Sequence, residues 1–373
     1  MKRILFYTIA LGFLASACHS NAPKEQPKEY FEKPHNKDTQ DVNRIMPNEK
    51  HFTFVKQLTF GGNNAEAYFS FNDKGFSFQS DNGAWGLKCD QIFYFPLADG
   101  DMKSKKPQLI STGAGRTTCA YFLPGDTEIL FASTHKTDVE CPKVPERTDH
   151  KYVWPVYNSY DIYVADLKGH IKRQLTNSPG YDAEATVSPQ GDKIVFTSTR
   201  SGDLELWTMN MDGTHLKQVT HELGYDGGAC FSPDGKKLVF RASRPKTSDE
   251  VKEYKDLLKN GQVMPIKLEI FTCNVDGSDL KQITHLGKAN WAPCYHPNGK
   301  KIIFSSNSEG TKGFNFNLYM INPDGSNLEK ITNDSVFAAF PMFSRDGKHL
   351  IFSSNRHNNG THDTNLFLAD WKD

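Results

Sequence analysis

The stretch FSPDGKKLVFRASR, residues 231–244, recurs along the chain and decides its fold. Three further copies read VSPQGDKIVFTSTR at 187–200, YHPNGKKIIFSSNS at 295–308 and FSRDGKHLIFSSNR at 343–356. Two weaker copies precede them, FNDKGFSFQS at 71–80 and FLPGDTEILFAS at 122–133. Self-similarity of this kind indicates a repeat architecture in which each copy is one structural unit.

Each copy predicts a unit of four strands. The first strand ends in a Pro-Asp-Gly-like turn, and an apolar run such as LVF forms the second. An aromatic-rich run such as EIFTCNV and a short run such as KQITHL supply the third and fourth. Glycine allows the positive φ that tight hairpins need. The shortest repeat spacing, about 44 residues, matches a propeller blade.

The last copy lacks a fourth strand, since its aromatic run ends at Trp371. A spare strand, FVKQLTF at 54–60, precedes the first copy. We expect it to complete the sixth blade, because a closed ring removes the exposed edges of an open sheet. The prediction is an all-β, six-bladed β-propeller of four-stranded blades over residues 51–373, with one short helix inserted in blade 4.

The pairing of FSPDGKKLVFRASR with EIFTCNVDGSDLKQIT resembles the TolB-type repeat of periplasmic six-bladed propellers, and the resemblance covers residues 54–373. It implies a binding propeller with another envelope protein as partner. A short tether stands where TolB has a separate N-terminal domain. The resemblance therefore implies the fold and a protein-binding style, and not a role in the Tol system.

The N-terminus predicts export. Lys2 and Arg3 precede the apolar run ILFYTIALGFLA, which is typical of a signal peptide over residues 1–17. LASAC, ending at Cys18, resembles a lipobox, although the segment from Ala15 to Ala17 also fits an ordinary signal peptidase site. We expect lipidation of Cys18, a polar tether over 18–50, and a lipoprotein on the periplasmic or cell-surface side of a bacterial membrane, with the outer membrane favoured.

The charge balance argues against a nucleic-acid partner. Lysine and arginine number 44, as do aspartate and glutamate. A neutral chain without a basic patch lacks the electrostatic footprint that phosphate backbones require. We expect a protein, peptide or glycan partner, with membrane contact through the lipid anchor alone.

Two long insertions, residues 134–159 in blade 2 and 244–267 in blade 4, both join the second strand to the third. In a meander these loops lie on one face, where variable loops usually carry function. The blade-4 insertion predicts a helix with Thr247 as N-cap, Glu250 completing a capping box and Gly261 as the stop. Its apolar side either packs on the propeller rim or binds a partner.

Alignment of the repeats on the turn glycine predicts a ring of polar side chains at the mouth of the central channel. The aligned positions are Glu66, Asp182, Asp226 and Asn290, with Arg116 and Ala338 near the same phase. The first four could hold calcium or another divalent cation, since oxygen ligands suit such ions. The alternative is that each Asp caps its own turn.

Aromatic residues at the same mouth are candidate contact anchors, because aromatic side chains dominate contact energy. They are Trp154, Tyr181, Tyr225 and Trp291, which with the polar set above form the predicted ligand-binding residues.

Cysteines support two expectations. Cys89, Cys119 and Cys141 all belong near loops of the insertion-bearing face, so we expect a disulfide between one pair of them. A bridge between Cys89 and Cys141 would pin the long blade-2 loop. Cys230 and Cys294 occupy the same position in the first strands of adjacent blades. Since neighbouring inner strands splay apart, we expect buried apolar thiols there rather than a bridge.

The leading hypothesis is a membrane-tethered, non-enzymatic, extracytoplasmic binding propeller that uses its insertion-bearing face and channel mouth. A peptidase of the prolyl-oligopeptidase type needs a G-x-S-x-G elbow, which the sequence lacks. Two alternatives remain: a metal-dependent uronate lyase like oligogalacturonate lyase, and an envelope assembly scaffold.

Overall fold

Six four-stranded antiparallel sheets follow one another in the computed structural model, which describes residues 42–103, 105–144, 151–334, 337–358 and 360–373. Each sheet is one blade, and the first strand of each blade lies innermost. The predicted all-β, six-bladed propeller is confirmed.

The strands are numbered in chain order. The N-terminal strand is β1 (Phe52–Gln57). Blade 1 contains β2 (Asn64–Phe69), β3 (Gly75–Ser80), β4 (Gln91–Pro96) and β5 (Gln108–Leu109). Blade 2 contains β6 (Thr117–Phe122), β7 (Glu128–Ser133), β9 (Asp161–Asp166) and β10 (Ile171–Gln174). Blade 3 contains β11 (Asp182–Val187), β12 (Lys193–Ser198), β13 (Glu205–Asn210) and β14 (Lys217–Gln218).

The remaining blades repeat this order. Blade 4 contains β15 (Asp226–Phe231), β16 (Lys237–Ala242), β18 (Glu269–Asn274) and β19 (Lys281–Gln282). Blade 5 contains β20 (Asn290–Tyr295), β21 (Ile302–Ser306), β22 (Asn317–Ile321) and β23 (Glu329–Lys330). Blade 6 contains β24 (Ala338–Phe343), β25 (His349–Ser354) and β26 (Asn365–Trp371). Short 3-10 helices occupy Gly83–Trp85 and Leu97–Asp99.

The second strand of each blade carries one fully buried phenylalanine at the same place in its apolar run. These residues are Phe78, Phe131, Phe196, Phe240, Phe304 and Phe352. Large apolar side chains between packed sheets exclude water from both faces, which stabilises the stacking of neighbouring blades. The repeated apolar run seen in the sequence is therefore the core of the propeller.

The two insertions meet each other. Their short strands, β8 (Trp154–Pro155) and β17 (Gln262–Val263), pair antiparallel, with Val263 opposite Trp154. Helix α1 (Ser248–Lys259) has the predicted capping box, in which the Thr247 hydroxyl accepts a hydrogen bond from the Glu250 amide. Tyr254 and Leu257 are buried, so its apolar side packs on the propeller itself.

Ring closure follows the prediction. β1 pairs antiparallel with β26, with Val55 opposite Ala369 and Gln57 opposite Phe367. Blade 6 thus takes its outer strand from the opposite end of the chain.

A buried ion network reinforces this closure. Arg356 Nη2 lies 2.6 Å from Glu49 Oε1 and 2.5 Å from Asp334 Oδ2, and all three side chains are at most 3% exposed. Burial raises the pKa of Asp334, while Arg356 opposes that shift. The tether boundary predicted at residue 50 is therefore too late, because Glu49 already belongs to the propeller.

The structure joins Cys89 to Cys141, whose Cα atoms lie 5.9 Å apart. Cys141 belongs to the blade-2 insertion, and Cys89 lies just before β4 in blade 1. This bridge ties the insertion to the neighbouring blade.

Arg356→Ala should lower the free energy of unfolding by about 3–5 kcal/mol, because it leaves two buried carboxylates without their partner. Chemical denaturation measures the change. Arg173→Ala is the matched control, because Arg173 is 38% exposed and pairs with Glu128 at the surface; it should cost less than about 1 kcal/mol. Equal losses in both variants would contradict a structural role for the buried network.

Peptide mapping without reduction should recover a fragment that links Cys89 to Cys141. Reduction should then release the blade-2 insertion, which limited proteolysis would detect as new cleavage between residues 134 and 159. Recovery of Cys89 and Cys141 as free thiols from protein exported in its natural host would rule the bridge out.

Candidate functional site

A cavity of about 890 Å³ lies on the propeller axis, between the innermost strands and the two insertions. Its floor and sides come from all six first strands, and its roof includes Trp154, Val263 and Phe314. Loop insertions thus cover a pocket that the closed ring creates. Pockets of this size commonly enclose small ligands or a segment of a larger one.

One left-handed residue from each innermost strand faces this cavity. Each is the third residue of its strand and lies where the pairing register shifts, which marks a β-bulge. The six positions are Glu66, Cys119, Glu184, Gly228, Ala292 and Phe340, with φ between 47° and 60°. A β-bulge turns a side chain away from the direction that the regular alternation of the strand would give it. These six residues therefore surround the cavity, one from each blade, and we name them the bulge ring.

A buried network of Arg241, Glu184 and Tyr225 forms the polar centre of the cavity. The guanidinium of Arg241 donates to Glu184 Oε1 and to the Tyr225 hydroxyl, and that hydroxyl donates to Glu184 Oε1 at 2.6 Å. Burial lowers the pKa of Arg241, but Glu184 and Tyr225 outweigh it and raise the pKa overall. Arg241 stays charged, and Nε has no hydrogen-bond partner in the described part of the chain.

Glycine at position 228 makes room for that guanidinium. A Cβ built on Gly228 would lie 1.9 Å from Arg241 Nη1, well inside any real contact distance. Gly228 also has a φ of 60°, a conformation that glycine adopts without strain. The Gly228 amide donates to Glu184 Oε2 at 2.9 Å. This member of the bulge ring therefore positions both charges of the network.

Glu66 and Cys119 form a second polar pair on the ring. The Cys119 thiol donates to Glu66 Oε2 at 2.8 Å. Burial raises the pKa of Glu66, and it raises the pKa of the Cys119 thiol well above its usual range. The thiol is thus the donor of this pair and the Glu66 carboxyl oxygen its acceptor.

Aromatic rings form the upper wall. The rings of Trp154 and Trp291 lie 5.0 Å apart, and Trp291 stacks on Phe316 at 4.0 Å. The indole of Trp291 also donates to the Pro265 carbonyl at 2.8 Å. Arg241 Cζ lies 5.1 Å from the ring centres of both Trp154 and Tyr225. The charged centre is thus flanked by flat apolar surfaces.

Most of the predicted ligand-binding residues meet at this cavity. The six that line it are Glu66, Arg116, Trp154, Tyr181, Tyr225 and Trp291. The other three, Asp182, Asp226 and Asn290, are the first residues of their strands and point elsewhere.

The predicted cation site of Glu66, Asp182, Asp226 and Asn290 is not formed. Asp182 accepts two hydrogen bonds from Arg200 at 2.8 Å. Asp226 pairs in the same way with Arg244, and Asn290 donates to the Leu268 carbonyl.

The two aspartates are thus paired within their own blades, and Asn290 is hydrogen-bonded to the preceding blade 4. Across the residues that the structure describes, no three His, Cys, Asp or Glu side chains converge as a metal site.

The repeat alignment wrongly matched Glu66 with the first residues of the other innermost strands, and this error has a local cause. Turns of blades 3 to 6 use glycine at their left-handed position, as at Gly191. In blade 1 Asp73 takes this position, with a φ of 57°, and Gly75 begins β3 instead. Alignment on the glycine therefore shifts blade 1 by two residues. In blade 2 Asp126 takes the position, and Arg116 is displaced by one.

Sequence reasoning missed Glu184, Arg241 and Cys119. Glu184 lies two residues after Asp182, inside the bulge, and Arg241 is a second-strand residue in a motif that predicts core packing. An alignment on the residue of positive φ would have matched Glu184 with Glu66. No pattern in the sequence pointed to Arg241.

Comparisons with known proteins agree with this fold. Residues 156–265 match the family described as TolB beta propeller domain. A provisionally assigned TolB from Agrobacterium tumefaciens superposes with a TM-score of 0.55 at 20% identity, over 84% of this chain and 91% of that one. TolB from Acinetobacter baumannii gives 0.51 at 17%, over 75% of this chain and 56% of that one, so this chain spans just over half of that protein.

An oligogalacturonate lyase in complex with manganese gives a TM-score of 0.50 at 15% identity, over 85% of this chain and 80% of that one. At such identities the likeness concerns the fold alone. No helix among the described residues is long and apolar enough to cross a membrane. With six repeated four-stranded blades and a closed ring, the chain is a six-bladed β-propeller, and its residues 156–265 are similar to the TolB beta propeller domain family.

Proposed function

We propose that this protein is an exported, lipid-anchored binding propeller that takes a glycan segment into its axial cavity. One observation carries the proposal. An aromatic wall and the Arg241–Glu184–Tyr225 network line the same cavity of about 890 Å³. The lyase and scaffold alternatives have no comparable feature among the described residues.

The shape and chemistry of the cavity suit a sugar. A sugar ring offers apolar C–H faces and a polar hydroxyl edge, so it needs flat apolar surfaces beside a few well-placed hydrogen-bonding groups. Trp154 and Trp291 supply such surfaces, and Glu66 and Arg241 supply donors and acceptors. Since buried Tyr225 is held by Glu184, the hydrogen-bonding geometry is largely preformed, which lowers the ordering cost on binding.

The charges in the cavity favour a neutral ligand. Arg241 pairs with Glu184, and Arg116 pairs with Asp90, so the two ion pairs cancel. Burial raises the pKa of Glu66, which works against a negative charge there. A strongly charged peptide would find no uncompensated partner in this lining. Neutral glycan segments are therefore the ligand class that the lining fits best.

The location of the protein rests on its N-terminus. The signal peptide, the lipidation of Cys18 and most of the tether lie outside the described residues and stay predictions. An envelope location accords with the TolB-like fold. A lipid anchor followed by a polar tether would let the insertion-bearing face reach glycans away from the membrane.

Trp154→Ala should weaken glycan binding by about 10- to 100-fold, since loss of an aromatic anchor typically costs about 1–3 kcal/mol. A glycan array would identify the ligand, and calorimetry on the purified propeller would measure its affinity. Leu328→Ala is the control, because this side chain is 44% exposed at the turn between β22 and β23, on the opposite face.

Three results would overturn the proposal: no glycan bound by the wild type, a peptide bound instead, or equal affinity in Trp154→Ala. Turnover of uronate oligomers that a chelator stops would replace it with the lyase alternative.

Gly228→Ala should also lower glycan affinity, because the new methyl group would displace the Arg241 guanidinium. Ala292→Gly, at the same bulge position in blade 5, is the matched control and should bind normally. Calorimetry compares the two variants, and thermal unfolding checks that both remain folded. An unchanged affinity in folded Gly228→Ala would show that Arg241 does not take part in binding.

A further inference from the structure

Below the bulge ring, the channel narrows at a layer that separates two cavities. Thr186, Cys230, Cys294 and Met342 line both the axial cavity and a smaller one of about 250 Å³ on its other side. Cys230, Cys294 and Met342 are each the fifth residue of an innermost strand, in the consecutive blades 4, 5 and 6. We name these three residues the sulfur neck.

The three residues of the neck pack together. Cys294 Sγ lies 3.4 Å from Met342 Sδ, and Cys230 packs against the same apolar cluster as Cys294. Cys294 is 8% exposed, and both cysteines are free thiols. The equivalent positions in blades 1 and 2 are Tyr68 and Tyr121, so the sulfur atoms of this layer lie on one side of the channel.

We propose that the sulfur neck is a copper(I) site with two thiolate ligands and one thioether ligand. Soft sulfur ligands select copper(I) over the hard divalent ions that oxygen ligands hold. The thioether of Met342, 3.4 Å from Cys294 Sγ, supplies the third soft ligand. This inference is independent of the glycan proposal, because it uses a different layer of the channel.

Proton and charge balance fit this assignment. Binding of one Cu⁺ releases two protons, one from each thiol, and leaves a bis-thiolate complex with one net negative charge. Copper is neither oxidised nor reduced in the step. Arg241 lines the cavity on one side of the neck and Arg345 the cavity on the other. Arg241 is already paired with Glu184, so Arg345 is the guanidinium that would offset the negative charge.

The test is an anaerobic titration of the purified propeller with copper(I) against a colorimetric copper(I) chelator. We expect one copper(I) per chain. Cys230→Ser and Cys294→Ser should each lower the affinity by more than about 100-fold, since loss of outer-shell partners alone costs about 10- to 100-fold. Met342→Leu, which keeps the apolar volume, should lower it by about 10-fold or more.

Cys273→Ser is the matched control, because Cys273 is a buried free cysteine of β18 away from the neck, and it should leave copper binding unchanged. X-ray absorption of the loaded wild type should give three sulfur neighbours, which keeps the proposal testable even if a serine variant misfolds.

The proposal is overturned if the wild type retains no copper(I), if folded Cys230→Ser retains as much as the wild type, or if absorption reveals nitrogen or oxygen ligands. A Cys230–Cys294 disulfide in protein isolated with its thiols trapped would also overturn it. Because glycan binding is measured on metal-free protein, either proposal can be disproved without affecting the test of the other.

Discussion

Pairing of β1 with β26 closes the ring, and the rest of the structure depends on that closure. Each blade packs only against its neighbours, so an open ring would leave an exposed sheet edge and two bare apolar faces. The closing strand comes from the opposite end of the chain, which converts a linear array of repeats into one cooperative unit. Arg356, held between Glu49 and Asp334 with its side chain fully buried, fastens the N-terminal segment to blade 6.

Closure also creates the cavity. Six innermost strands converge on the axis, and a bulge at the third residue of each turns one side chain toward the centre. Residues with positive φ carry conformational strain unless they are glycine, and such strain often marks functional sites. Glu66, Cys119 and Glu184 hold this conformation where alanine or glycine would suffice for packing. The channel chemistry is therefore concentrated at positions where the backbone itself is unusual.

The roof over the cavity is assembled from two distant insertions. A two-stranded ribbon of two residues per strand has little stability by itself. The ribbon of β8 and β17 is held by its surroundings, because Trp154 packs against Trp291 and Val263 is buried in the same apolar cluster. The bridge from Cys89 to Cys141 and the buried side of α1 hold the two insertions at their bases.

The residues near the propeller axis show which features of the site could be predicted from the sequence and which could not. Trp154, Tyr181, Tyr225 and Trp291 were predicted as anchors on the insertion-bearing face and channel mouth, and the structure places all four in the lining of the axial cavity. Asp182 and Asp226 were predicted at the channel mouth and instead pair with arginines of their own blades. A carboxylate can cap a turn, form an ion pair or bind a metal ion. Its position in the sequence alone does not decide which of these roles it takes.

Local patterns alone determined the blade count, the four-strand unit, the closing strand, the capped helix and the face that carries the insertions. These features follow from hydrophobic periodicity and turn chemistry, which short stretches of sequence contain. Only the tertiary structure decided that Glu184, Tyr225 and Arg241 share one hydrogen-bonded network, and that Cys230, Cys294 and Met342 share one neck. Those groups come from different blades, and their meeting depends on bulges and on the geometry of a closed ring, for which no local pattern exists.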